Sequence, residues 1–438
     1  MSELTKTTLQ TLDNPQQRRV IVLGGGFGGL ETAFALRSEV GADRARITIV
    51  SDSDHFLFKP NSIYVPFGLD PAKLRVPLAP AVAKRDIELI RASAVEIDPD
   101  SRAVALDDGR SLPYDRLVVA TGSGMRATEI PGLAEHAIPT WTPEDMVRLG
   151  GAFRSLAAAP NGTGAAAARR RILFLVPPNN KCAGPLYEIV LMLETWLRRQ
   201  GARERVEITW ATSERTYIQA FGPRLHEVVT EEFERRGITG MAGHVVERIE
   251  PGRVEFAGGP SVAYDTLVAF PPYVAAQAFP GLPTDDRGFI ATESRSRRVA
   301  SHPEIFAVGD AGDFPVKQAF LAFLQADAAA AHLAAELTAT EPAISFDPVS
   351  MCVMEQFDKA TFAQVPLRLT GDPARPVEVR PDAGSDYRVG SSRTWRLGKK
   401  MLGHAVPWRF ANGLPFHSGP FWAGMDLGLR GMSRALAD

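Results

Sequence analysis

The chain has 438 residues, enough for two or three domains with well-buried cores, and a formal net charge of -2. That balance gives no electrostatic footprint for nucleic acid, and no apolar run reaches the roughly 18 residues of a membrane-spanning helix. Two cysteines are too few for the disulfide framework of a small secreted domain, and the eight histidines show no pair at ligand spacing, so no metal site is expected.

The opening MSELTKTTLQTLDNPQQ is polar and lacks an apolar core. It reads as a frayed tail and not as a secretory signal, which leaves a cytoplasmic chain or one peripheral on the cell membrane. Residues 19–23, RVIVL, read as a short buried strand. GGGFGG follows at 24–29, then an apolar-periodic helix, LETAFALRS. Strand, Gly24-x-Gly26-x-x-Gly29 and helix together make the dinucleotide-binding fingerprint, with Phe27 inside it. Its glycines let backbone N–H groups approach a pyrophosphate, and the helix N-terminus favours that anion.

A second strand is expected at 46–50, RITIV. An acid at its end would ordinarily bind ribose hydroxyls. Here Ser51 comes first, so the ribose contact is altered and Asp52 is a fallback. The aromatic, proline-rich HFLFKPNSIYVP, with Lys59 and Pro60, reads as a structured loop over the cofactor. YDRLVVATGS at 114–123 runs an apolar strand into Thr121 and Gly122, where a chain can cross close to a nucleotide. A third marker, HPEIFAVGDAGDFPVKQAF from His302, ends its strand in Gly309 and Asp310; that aspartate can bind a ribityl hydroxyl or, through water, a phosphate. In this order the three markers describe one FAD site built from both ends of the chain.

Between them lies a stretch of low complexity, RSLAAAPNGTGAAAARRR at 154–171, read as a helix end and a mobile loop. The strand RILFLV comes next. A nicotinamide-using chain would carry a second glycine loop there; this one has Pro177, Pro178, Asn179, Asn180, Lys181 and Cys182. Proline has no N–H to offer a phosphate. The second nucleotide site therefore reads as dismantled. Cys182 precedes an apolar helix, PLYEIVLMLETWLRR, whose N-terminus, with Lys181 adjacent, would favour the thiolate. Two buried thiols acting as small hydrophobes are the alternative.

The marker order resembles the two-dinucleotide-binding-domain flavoproteins over about residues 19–337. KCAGPLYE and MCVMEQFDKATF resemble, more narrowly, the redox-cysteine segments of sulfide:quinone oxidoreductases and of the flavoprotein subunit of flavocytochrome c sulfide dehydrogenase. In that family serine replaces the ribose-binding acid, as Ser51 does here. The resemblance implies an α/β fold with two Rossmann-like domains, the FAD domain discontinuous and the second inserted, plus a C-terminal interface or membrane-associated region. The implied boundaries are a tail at 1–18, FAD-domain parts at 19–130 and 279–340, the second Rossmann-like domain at 131–278, and a redox-cysteine and quinone or membrane region at 341–438. It also implies non-covalent FAD and a redox pair of Cys182 with Cys352. Glu188 would be an acid/base group, and Lys317 would lie near the N1/O2 edge of the flavin. The chain departs from the family in lacking a third, early cysteine and in having Gln219 where several members have histidine.

The expected reaction is oxidation of sulfide through the cysteine pair, with sulfur leaving to a small acceptor and two electrons passing through FAD to a quinone. Phe320, Phe323, Phe357, Trp408 and Phe410 would gather at the quinone. In the final SGPFWAGMDLGLRGMSRALAD, one helical face would carry Phe421, Met425, Leu429, Met432 and Leu436 to a membrane surface, with Trp422 as anchor. Packing against the protein or a dimer partner is the alternative, and a homo-oligomer is compatible with it. Three other activities stay open: a flavocytochrome-type sulfide dehydrogenase, an NADH:quinone dehydrogenase, and a non-catalytic flavin-binding sensor.

Overall fold

The computed structural model describes residues 17–158 and 169–437. Most of the expected tail, and residues 159–168 of the alanine-rich stretch, lie outside the described residues. The first strand already includes Arg18.

The first sheet has six strands, in the order Arg298–Val299, His302–Ala307, Arg116–Val119, Arg18–Leu23, Ala45–Ser51 and Glu88–Arg91. All of its pairings are parallel except the first. Its central strands are apolar along their whole length because both faces are covered. Val20, Val22 and Phe306 pack under the helices Phe27–Glu39 and Ala319–Thr338, while Ile21, Leu117 and Val119 pack on the other side. A strand from residue 302 onward thus lies beside one from residue 116, so the two ends of the chain share one sheet. Buried Ala326, Ala329, Ala330 and Ala334 let helix Ala319–Thr338 lie along helix Phe27–Glu39.

The second sheet is all parallel: Ala137–Pro139, Thr266–Ala269, Arg170–Val176, Val206–Thr212 and Ile238–Met241. Helix Gly184–Arg199 covers it and is apolar nearly all round. Such a helix must be buried on several sides. One side meets the second sheet, where the rings of Tyr187 and Trp210 lie 3.9 Å apart; another meets strand Val349–Glu355. That strand opens an antiparallel sheet with Ala360–Leu369, Val377–Val379 and Arg388–Ser392. Helices Arg393–Ala411 and Gly419–Leu436 complete the chain.

Two expectations for this C-terminal region are corrected. Most of the apolar face of the last helix is turned inward, although Leu436 is exposed; the Phe421 side chain lies outside the described residues. Trp422 and Met425 pack on the core around Phe416, and Leu429 and Met432 pack on Phe362 and Trp395. These covered neighbours hold the face more favourably than water would. A cluster of exposed apolar side chains lies instead on one face of helix Arg393–Ala411, at Leu397, Met401 and Trp408. Nor do the five expected aromatics gather. Phe320, Phe323 and Phe410 join one core cluster, Phe357 joins another beside Tyr64 and Phe67, and Trp408 faces solvent. Among the described residues no helix is long and apolar enough to cross a membrane.

Candidate flavin and thiol site

The glycine loop is built by close approach. Gly24 has φ +112°, and a Cβ there would collide with the carbonyl of Ala120; one at Gly29 would collide with that of Gly24. Gly26 is the N-cap of helix Phe27–Glu39 and faces open space. The C-terminal marker closes on the same place: Gly309 has φ +63°, and a Cβ on it would lie 3.9 Å from the Cα of Gly28. Ser123 Oγ donates to Asp310 Oδ2 at 2.8 Å, joining the second marker to the third. Gly122 also faces open space, with φ +81°. Thr121 Oγ1 is buried with no partner among the described residues, and a bound group would satisfy it.

Ser51 is buried at the end of its strand and faces the loop, where a Cβ on Gly25 would lie 2.9 Å from its hydroxyl. Asp52 is exposed and borders a shallow cleft with Arg91 and Asp107. Phe27 packs edge-on to Phe56 at 4.8 Å, so its ring serves the core. Pro60 starts the turn Lys59–Phe67. The Lys59 ammonium lies 3.3 Å over the ring of Trp141, and burial lowers its pKa to about 8 against the pull of Asp310. Lys317 is more deeply buried. Its ammonium donates to the Gly312 carbonyl and sits 3.8 Å over the ring of Phe289. Burial lowers its pKa to about 7, again against Asp310. A glycine cradle at a helix N-terminus, an orphan hydroxyl and two desolvated cations fit FAD, which supplies anionic phosphates and a polar ring edge.

The 177–183 loop spends its polar groups on itself and its neighbours. Asn179 has φ +62°, its carbonyl accepts from Tyr273 N at 3.0 Å, and its amide donates to Glu129 at 2.7 Å. Asn180 Oδ1 accepts from Cys182 N at 3.0 Å, and its amide donates to the Phe270 carbonyl at 3.2 Å. The cysteine-bearing segments are held by one short stretch. Lys317 N donates to the Lys181 carbonyl at 3.1 Å; Gln318 Nε2 donates to the Met351 carbonyl at 3.2 Å, and its Oε1 accepts from Ser350 at 2.8 Å. Cys182 and Cys352 are therefore each one residue from the clasp. Both are free thiols, and Cys352 is close enough to raise the cost of ionising Cys182.

The expected low thiol pKa is corrected. Burial pushes Cys182 well up, with Cys352 and Asp310 adding to it, and pushes Cys352 up to about 12, with Glu188 adding to it. Helix Gly184–Arg199 begins two residues beyond Cys182, and its dipole does not overcome desolvation there.

Glu188 is buried, not on a helix surface. It accepts from Glu355 N at 2.8 Å and pairs with Lys399. Burial raises its pKa; Lys399 holds it down. Glu355, fully buried, accepts from Tyr64 OH at 2.9 Å and Arg396 Nε at 2.7 Å. Tyr64, Glu355, Arg396 and Lys399 escape sequence reasoning. Lys399 sits in a basic run beside exposed Lys400, and only the helical phase separates them. Glu355 does lie in the second cysteine segment, three residues past Cys352.

The sulfide-quinone reductase of Aquifex aeolicus is 33% identical over 242 residues, covering 54% of this chain and 53% of that protein. The chain thus spans about half the length of that relative. An NADH dehydrogenase-like protein of Mycobacterium tuberculosis is 26% identical over 302 residues, covering 67% and 72%. The crystal structure of the Aquifex aeolicus sulfide:quinone oxidoreductase superposes with a TM-score of 0.79 over 94% of this chain and 96% of that one, at 23% identity. Residues 18–157 and 191–331 match the profile of the pyridine nucleotide-disulphide oxidoreductases. These two segments make up well over half of the chain and carry all three cofactor markers, and the chain belongs to that family of FAD-binding oxidoreductases.

Proposed function

We propose that the chain is a sulfide:quinone oxidoreductase whose reacting sulfurs are Cys182 and Cys352. The observation that carries this reading is the Lys317–Gln318 clasp. It holds both cysteine segments against the stretch that follows Gly309 and Asp310. The Aquifex aeolicus relative's name points to the same substrates.

Bound FAD would supply a two-electron acceptor beside the sulfurs and pass those electrons on to the quinone. Ser51, Thr121, Gly122, Gly26 and Asp310 would hold it, with Asp52 too exposed for the ribose role. The protein's own steps follow thiol–disulfide exchange. Hydrosulfide attacks one sulfur of the oxidised pair; the S–S bond breaks, leaving a persulfide on one cysteine and a thiolate on the other. A second sulfide or small thiol takes the outer sulfur and leaves two reduced cysteines. Their reoxidation to the disulfide gives up two electrons and two protons. Glu188, near Cys352 and with its carboxyl paired to Lys399 against the upward push of burial, is placed to accept one of those protons. Lys317 would place positive charge where negative charge accumulates on reduction. For the quinone side, the exposed Leu397, Met401 and Trp408 face, with Arg393 and Lys400 along it, is the membrane contact we propose in place of the last helix.

Anaerobic addition of sulfide, and separately of NADH, tests this reading. Sulfide alone should bleach the flavin absorbance, and a soluble quinone should restore it. Bleaching by NADH alone would favour an NADH:quinone reaction instead. The spent polar groups of the 177–183 loop argue against that outcome.

A further inference from the structure

Away from the thiols, three side chains from distant parts of the sequence meet in the core. Glu31 comes from the helix after the glycine loop, Asp327 from the alanine-rich helix, and His417 from the turn before the last helix. One donor atom from each lies within 4.8 Å of the other two. Glu31 is fully buried, and the side chains of Asp327 and His417 are 10% and 12% exposed. Both Glu31 oxygens accept from Phe416 N, at 2.8 and 2.7 Å, and Oε1 accepts from His417 N at 3.3 Å. The His417 ring meets Asp327 through Nδ1. Its Nε2 is buried and has no partner among the described residues. Rings of Phe320, Phe416 and Trp422 stand 5.5, 4.7 and 4.4 Å from the imidazole and wall the cluster from water.

Two carboxyl groups and an imidazole in so apolar a place need compensation. Arg409 attracts Glu31 electrostatically, while its guanidinium also donates to the Pro415 and Ser418 carbonyls. Without an ion, the backbone donors supply partial charge, and a proton does the rest: burial and the neighbouring Asp327 raise the Glu31 pKa, and the two carboxyl groups share a side-chain hydrogen bond. A divalent cation would cancel two carboxylate charges at once and engage imidazole nitrogen. One nitrogen and two carboxylate oxygens form a mixed donor set that suits first-row ions such as Mn²⁺ or Zn²⁺ better than the all-oxygen preference of Ca²⁺ or Mg²⁺.

We propose that Glu31, Asp327 and His417 form a structural site for a first-row divalent cation, which clips the C-terminal turn and last helix to the two helices of the flavin domain. The site lies outside the thiol chemistry and does not depend on the activity proposed above. Each ligand comes from a different segment, so the ion would close loops of nearly 300 and 90 residues.

Mn²⁺ is the direct probe, because thiolates such as those of Cys182 and Cys352 compete poorly for it. Holoenzyme stripped with a chelator should take up one equivalent of Mn²⁺, read by loss of the free-ion electron paramagnetic resonance signal. His417→Ala and Asp327→Asn should take up none while keeping their flavin. Mn²⁺ should also slow proteolytic removal of the last helix several-fold in wild type and in neither variant. Absence of stoichiometric uptake by the wild type would overturn the proposal, as would equal uptake by His417→Ala. If Asp327→Asn loses its flavin, Glu31→Gln replaces it under the same criteria.

Discussion

Lys317 shows how burial sets the chemistry available to one residue. Its folded pKa of about 7 lies well below the ordinary lysine value of 10.5. Below about pH 7 both folded and unfolded chains carry the proton, and the cost of the buried charge is felt in full. Between about 7 and 10.5 the unfolded chain binds more protons, so stability of the flavin-free protein rises with pH. Lys317→Met should remove that rise and stabilise the flavin-free protein at pH 6 by on the order of 3 kcal/mol, measured by denaturant unfolding. If Lys317 lies at the flavin as proposed, the same variant should also lower the flavin potential, because a cation that favours the reduced ring is gone. Lys399 gives a second case. It holds the buried Glu188 carboxyl down against desolvation. Lys399→Met should raise that pKa, keep Glu188 protonated to higher pH, and move the acidic limb of the flavin-reduction profile upward by about one pH unit or more. A lysine that merely braces the fold would lower stability and leave the limb in place. Cys182, Glu188 and Lys317 stand out in the sequence because each lies in a compact motif. Lys399 and Tyr64 act across hundreds of residues and nothing local marks them, while Glu355 is marked only by its place in the second cysteine segment.

Elements divide in the same way. Strand, glycine loop and helix at 18–39 are legible because their geometry is local: Gly24 and Gly29 sit where any Cβ would meet a carbonyl. The last helix shows the limit. Its apolar periodicity is plain in the sequence, and period fixes which residues share a face. It does not fix what the face meets, and here that is Phe416, Phe362 and Trp395. The preceding helix reads as a weaker pattern because Trp395, Val406 and Phe410 are buried opposite the exposed Leu397, Met401 and Trp408. If that exposed face meets lipid, the double variant Met401→Glu, Trp408→Glu should cut vesicle co-sedimentation by about tenfold or more, with reduction by sulfide unchanged. The same changes in Met425 and Leu429 should instead destabilise the fold by about 2 kcal/mol or more each, since both side chains are packed.

For the whole molecule, the order of the markers along the chain implies one FAD site built from both ends, and in the fold residues 302–307 lie beside 116–119 in one parallel sheet. What the order does not contain is the third sheet's docking. Strand Val349–Glu355 brings Cys352 to the clasp only because helix Gly184–Arg199 is apolar on more than one side and packs against it. The meeting of Glu31, Asp327 and His417 has the same origin, and no spacing of histidines could have announced it. Rapid-mixing reduction of the flavin by sulfide reads whether the two clasped sulfurs work together. Cys182→Ser and Cys352→Ser should each slow that reduction by at least about a hundredfold while keeping full flavin content. A single serine variant that is reduced at the wild-type rate would contradict the account.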